Sequence, residues 1–265
     1  MSDPSIVTNI ATDGRATVTL NRPDVHNAFD DELIARLAGD LEKLDQDSGV
    51  GVVILAAAGK SFSAGADLNW MKRVADFTEA ENLADAEAMA QMLKTLHGLS
   101  KPTIARVHGV AFGGGVGLVA CCDIAFAAAA AVFSLSEVKL GLVPATISPY
   151  VINAIGERQS RRYMLSAERF DAAEAMRIGL VHGVVAAANL DQVIDEMVET
   201  LLANGPQAMA EVKAMLDSVT GRRIDDDLAH ETAALIARVR VSDEGREGLA
   251  SFFEKRKPDW KPESQ

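Results

Sequence analysis

Across residues 107–136 the chain carries one formal charge, Asp123, within an otherwise apolar run. A stretch that long and that poor in charge has two physical outcomes, a membrane span or a set of strands and turns buried in protein. Gly109, Gly113, Gly114, Gly115, Gly117 and Asp123 interrupt it. Such interruptions suit buried strands joined by a tight turn and do not suit a continuous apolar helix, so the run is read as core. Around it, short β-branched runs followed by glycine-containing turns and amphipathic helices recur along the first two-thirds of the chain, the pattern of stacked strand–helix units. The candidate strands are residues 16–20, 50–56, 103–107 and 124–127. Between the first two, Asp30 caps a helix whose Leu33, Ile34, Leu37, Leu41 and Leu44 share a face. Thr78 and Glu81 form a capping-box signature before a second helix, with Leu83, Met89, Leu93 and Leu96 on its expected buried face.

Past about Asn189 the strand formers thin out. Residues 190–203, 206–219, 225–240 and 243–256 are predicted helices. The chain of 265 residues therefore divides into an α/β core, residues 1–190, and a helical region, residues 191–265, that packs on the core or on neighbouring subunits. The net charge of −12 argues against a general nucleic-acid surface while leaving room for one anionic ligand on a local basic cluster. Cys121 and Cys122 are adjacent, so they cannot staple distant segments and lack metal-site spacing. The first residues, MSDPSIVTNI, contain neither a basic nor an apolar leader region. A cytoplasmic protein without membrane attachment is expected.

Three segments carry the chemistry. Ser61-Phe62-Ser63-Ala64-Gly65-Ala66-Asp67-Leu68 follows a predicted strand, and its small residues let backbone approach a ligand; a plain tight loop reads the same way. In Phe112-Gly113-Gly114-Gly115-Val116-Gly117, consecutive glycines enter a helix and expose N–H donors at its positive end, suited to an anion or a developing oxyanion. Close helix–strand packing, or a nucleotide-phosphate loop, also fits that pattern. Glu137 is an isolated acid in a largely apolar stretch, where burial would raise its pKa toward useful proton transfer. A solvated strand bearing Glu137 and Lys139 is the alternative.

Gly115-Val116-Gly117-Leu118-Val119-Ala120 formally matches a dinucleotide-binding fingerprint, but that turn normally follows the first strand, and here about a hundred residues precede it. Neither a Walker-type loop nor a G-x-S-x-G elbow occurs. His26, His97, His108, His182 and His230 form no H-x-x-x-H pair, so no metal site is expected.

Taken together the segments resemble the enoyl-CoA hydratase/isomerase, or crotonase, superfamily. The likeness runs from Asn21-Arg22-Pro23 and Asn27-Ala28 through Ser63 to Leu68, Lys101-Pro102-Thr103-Ile104-Ala105, the glycines, Cys122-Asp123-Ile124 and Ser136 to Pro144. It ends in Glu247-Gly248-Leu249 and Phe253-Glu254-Lys255-Arg256-Lys257-Pro258. The resemblance implies an α/β spiral of ββα units, a C-terminal helical trimerisation region, and a homotrimer or dimer of trimers. It implies an acyl-CoA substrate, with coenzyme A part of that substrate and no separate cofactor. The N–H groups of Ala66 and Gly114 would form an oxyanion hole, with Gly113 among the substrate-binding residues and Glu137 as acid/base. Coenzyme A would lie along Val25, His26, Ala64, Asp67 and Leu68, with Lys255 near its 3′-phosphate. Typical hydratases of the family carry a second glutamate, and here that position is Gly117, whose missing side chain is expected to leave space beside the acyl carbons. The readings that follow, in order, are hydration of a 2-enoyl-CoA, a branched, carboxylated one such as 3-methylglutaconyl-CoA being among the candidates, then 3-enoyl to 2-enoyl isomerisation, then a non-catalytic acyl-CoA binder.

Overall fold

Each pass of the chain adds a strand to a large sheet, a short strand to a small sheet, and then a helix; the computed structural model describes residues 4–260. A hairpin of β1 (Ile6–Ile10) and β2 (Arg15–Leu20) leads into α1 (Asp31–Gln46). The first pass is β3 (Val52–Ala57), β4 (Ser61–Ser63), α2 (Leu68–Val74) and α3 (Glu79–His97). The second is β5 (Thr103–Val107), β6 (Val110–Phe112) and α4 (Gly114–Cys121). The third is β7 (Ile124–Ala128), β8 (Val132–Ser134) and α5 (Ser148–Ser166), which is kinked at Gly156. β9 (Phe170–Asp171), α6 (Ala172–Ile178), β10 (Gly183–Val185) and α7 (Leu190–Leu202) close the spiral. α8 (Pro206–Val219), α9 (Asp226–Arg240) and α10 (Asp243–Glu254) follow. This is the ββα spiral with a helical C-terminal region that the resemblance implied.

The large sheet runs β1-β2-β3-β5-β7-β10 and is parallel from β2 onward. Its central strands are buried on both faces, which is why they show no polar alternation. In β3, Val53 and Leu55 join the main core with Leu33, Leu37, Leu93 and Leu96, whereas Val52 and Ile54 face Leu190, Ile194 and Val198 of α7. Each such side chain contributes about 1.5–3 kcal/mol on full burial. α7, expected to open the helical appendage, is thus a covering layer of the sheet, and α8 to α10 are the elements that leave it.

Asp30 accepts from the Leu33 N–H at 2.9 Å and starts α1 with its five expected apolar residues buried. The capping box at Thr78 and Glu81 also forms. Leu83 differs from expectation. It is 59% exposed, because α3 reaches its packing partners only from Met89 onward, and Met92 joins Leu93 and Leu96 inside. Asp123, the lone charge of the apolar run, accepts from the Thr103 N–H at 2.7 Å and from Lys213 Nζ of α8 at 2.6 Å, so it fastens the helical region to the sheet. None of the described helices is long and apolar enough to cross a membrane.

Candidate active site

β4, β6 and β8 are neighbours in the small sheet and run parallel, so the segments leaving their C-terminal ends emerge side by side. Those are the three segments singled out above. The residue after β6 is Gly113, the N-cap of α4, which stands at φ 50°, a conformation open to glycine. A Cβ on Gly65 would lie 3.1 Å from the Phe112 carbonyl oxygen and 3.9 Å from Gly113 Cα, so the first two segments meet backbone to backbone.

Two N–H groups are left unclaimed there. Ala66 forms a parallel bridge with Phe29, in which the Phe29 N–H donates to Gly65 O at 2.7 Å and the Asp67 N–H donates to Phe29 O at 2.8 Å. A residue flanked in that way turns its own N–H to the opposite side, and the Ala66 N–H meets no acceptor among the described residues. Gly114 is the first residue of α4, where a helix has no internal acceptor to offer. The preceding Gly113 N–H is spent on Ser134 O at 2.9 Å, whereas that of Gly114 has no partner among the described residues.

Glu137 completes the constellation. It begins a single 3₁₀ turn, Glu137–Leu140, in place of the solvated strand that was the alternative reading. A Cβ placed on Gly113 would lie 2.9 Å from Glu137 Oε1, so the carboxyl sits against the start of α4. Its Oε2 is buried and has no hydrogen-bond partner among the described residues. Burial pushes the Glu137 carboxyl above the usual carboxylate range, against a smaller pull from its own backbone N–H. The arrangement sets a carboxyl beside two N–H donors, unpaired among the described residues, at a positive helix end. Leu140, Leu142 and Val143, the last 71% exposed, continue from Glu137 as an apolar rim.

The expected coenzyme A residues divide. The Ala64 N–H donates to His26 O at 3.0 Å, which joins Val25 and His26 to the Ala64 loop; Val25 and His26 are exposed, and Leu68 is 74% exposed. Asp67 does not present a free carboxylate to a ligand. It is buried, its Oδ1 caps α2 by accepting from the Asn69 and Trp70 N–H groups, and its Oδ2 pairs with Arg22. Lys255 ends α10 in a left-handed conformation at the surface, and α10 packs on α8 and α9, which carry no other site residue. Beside it Arg256 is paired with Glu247 and Glu254.

Gly117 requires a correction. The space expected beside it is filled: a Cβ there would lie 2.2 Å from Ile147 Cγ2 and 2.8 Å from Ile147 Cβ, and Ile147 is only 2% exposed. Gly117 is therefore a packing residue against the start of α5. Gly114 is tight as well, since its Cβ would meet Phe29 Cε2 at 2.5 Å, and Phe29 is the residue that brackets Ala66. Sequence reasoning did not single out Phe29, Ile147, or Arg22 outside the resemblance, because their roles arise from contacts between distant segments.

The chain matches the family model described as enoyl-CoA hydratase/isomerase over residues 11–263. It is similar to the crystal structure of an enoyl-CoA hydratase from Shewanella pealeana, with 46% identity, a TM-score of 0.94, and coverage of 97% of this chain and 96% of that one. An enoyl-CoA hydratase from Mycobacterium smegmatis shows 31% identity and a TM-score of 0.91 over 97% of this chain and 99% of that one. The hydroxycinnamoyl-CoA hydratase-lyase of Pseudomonas fluorescens is 37% identical over 76% of this chain and 74% of its own length.

Proposed function

The chain belongs to the enoyl-CoA hydratase/isomerase family, and within it we propose that this protein hydrates a 2-enoyl-CoA, with the Ala66 and Gly114 N–H groups holding the thioester oxygen and Glu137 moving the proton. The observation that carries this reading is the unpartnered Oε2 of Glu137 beside two unclaimed backbone donors.

The chemistry follows from where charge develops. Water adds through its oxygen to C3, and the Glu137 carboxylate takes the proton that the water gives up. The C2=C3 electrons move onto the thioester oxygen as an enolate, which the two N–H donors stabilise by about 3–4 kcal/mol each. Protonated Glu137 then returns the proton to C2, the C–O double bond re-forms, and the product is a 3-hydroxyacyl-CoA. A carboxyl held above its usual range suits both halves of this cycle. Coenzyme A enters and leaves as part of the substrate, so no separate cofactor takes part.

Isomerisation is the second reading, and Ile147 is the observation that favours it. With an apolar side chain against Gly117, one carboxyl remains to take a proton from C2 of a 3-enoyl-CoA and deliver it to C4 through a dienolate. Parallel assays of crotonyl-CoA, 3-methylglutaconyl-CoA and a 3-enoyl-CoA separate the readings. Loss of the conjugated thioester absorbance with water uptake is the expected result. Its gain from the 3-enoyl substrate would mark an isomerase, and tight binding without turnover would mark a binder. 3-Methylglutaconyl-CoA is the branched, carboxylated substrate to offer first.

A reducing cytoplasm suits the free, buried Cys121 and Cys122. A homotrimer or dimer of trimers is the assembly proposed, and the exposed apolar residues Ile236, Leu249, Phe252 and Phe253 of α9 and α10 supply surface for it.

A further inference from the structure

Asp30 and Asp67 are 37 residues apart in sequence yet make the same pair of interactions. Each is the N-cap of a helix, Asp30 through Oδ1 on the Leu33 N–H of α1 and Asp67 through Oδ1 on the Asn69 and Trp70 N–H groups of α2. Each turns its second oxygen to the same nitrogen, Arg22 Nη2, at 2.8 Å from Asp30 Oδ2 and 3.1 Å from Asp67 Oδ2. The other arm of the guanidinium, Nη1, donates to the Ala28 carbonyl at 2.5 Å. Between these anchors lies the bridge in which Phe29 brackets Ala66.

We propose that Arg22 is a positioning residue for the oxyanion hole: by tying together the N-caps of α1 and α2 and the Ala28 carbonyl, it fixes the direction of the Ala66 N–H. This rests on the role given to Ala66 under the proposed function. Ala28 precedes Phe29 and Asp30 follows it, so two of Arg22's contacts hold both sides of Phe29; the third holds Asp67, the residue after Ala66. Arg22 therefore grips both strands of the bridge from outside it. Only a forked, planar cation reaches three acceptors in this way, and a lysine ammonium at the end of a flexible stem does not hold the same geometry. Without Arg22, the Asp30 and Asp67 carboxylates would face each other in a largely buried space with no cation between them, and like-charge repulsion would spread the two loops. The Asp67 carboxyl shows the balance: burial works to raise it, and the Trp70 and Asn69 N–H groups together with Arg22 outweigh that and hold it below the usual range.

The test uses the full-length protein and para-dimethylaminocinnamoyl-CoA, a chromophore whose absorbance shifts to the red when its thioester carbonyl is polarised. Arg22→Met should bind the probe within about threefold of wild type but lose at least half of the red shift, with kcat down roughly 10- to 100-fold and KM little changed. Arg22→Lys should recover part of both. A merely structural role would not separate carbonyl polarisation from binding in this way. Full red shift with kcat within about twofold of wild type would overturn the proposal. If Arg22→Met does not fold, Asp67→Asn, which keeps an oxygen to cap α2 and loses the charge facing Arg22, carries the test; an undiminished shift in that variant overturns the proposal equally. A wild-type protein that binds the probe without any shift would sink the oxyanion-hole reading itself, and the role of Arg22 with it.

Discussion

α4 and α10 are short helices built by opposite means. α4 has no charged residue, and its Gly115, Val116, Gly117, Leu118, Val119 and Cys121 are buried against other elements. Its position is dictated by close approach: a Cβ on Gly115 would lie 2.6 Å from Ser63 O, as one on Gly117 would meet Ile147. α10 is shaped by its own ends instead, with Ser242 Oγ accepting from the Gly245 N–H at 3.0 Å and Asp243 and Glu244 in the first turn. Only Ser251 of α10 is buried, and Phe252 is 76% exposed. The helix that carries the Gly114 N–H is placed by close contacts of its glycines with Phe29, Ser63 and Ile147, whereas α10 presents a surface that the described residues do not cover.

The largest effect expected from this contrast is at Gly117. Gly117→Glu must displace Ile147 and bury a charge, and should cost about 3 kcal/mol or more in urea unfolding. Adding Ile147→Ala should recover part of that loss. A stable Gly117→Glu single variant would show that α4 is not confined as described.

Next is the pH dependence of Glu137→Gln. Burial holds the Glu137 carboxyl above its ordinary value, so the folded chain binds this proton more tightly than the unfolded chain does. Below the unfolded value both forms are protonated and the wild type loses nothing. As pH rises through the folded value, the wild type loses stability because it must bury a charge. Glu137→Gln should therefore melt near wild type in acid and above it at neutral pH; equal melting temperatures at neutral pH would contradict the burial account.

Smaller still is Gly39→Ala. Gly39 lies inside α1, a Cβ there meets nothing within 4 Å, and the change should stabilise by about 0.5–1 kcal/mol. It is the counterpart of Gly117, a helical glycine with room to spare. The smallest effect belongs to the α10 end. Lys255→Ala should leave unfolding unchanged and weaken coenzyme A by no more than about fivefold, as an exposed charge contributes at most about 1 kcal/mol. Calorimetry with coenzyme A and dephospho-coenzyme A should show the loss for the first alone; equal losses would leave Lys255 as a solvated cation.

Much of this was legible in the sequence because it is written locally. The caps at Asp30 and Thr78 and the glycines before α4 announce themselves within a few residues, as do β2, β3, β5 and β7 of the large sheet, whereas its outer strands β1 and β10 were not among the expected strands. The small sheet does not: β4, β6 and β8 are three residues each, too short for a periodic pattern, yet their adjacency is what gathers Ala66, Gly114 and Glu137. The resemblance placed Asp67 along coenzyme A, and its carboxylate is spent on capping α2 and pairing with Arg22, a partner 45 positions away. Leu83 had helical spacing but no neighbour to pack on. Ile147 could not be foreseen, since nothing near it in sequence points to Gly117, thirty positions earlier.

On the proposed mechanism Glu137 moves the proton while backbone donors hold the thioester. The most direct test is the turnover of Glu137→Gln on whichever enoyl-CoA the wild type converts, measured beside its affinity for the cinnamoyl-CoA probe. The account predicts kcat lower by roughly 10²- to 10⁴-fold, with probe affinity within about threefold and the red shift retained. A folded variant that turns over within about twofold of wild type would contradict it.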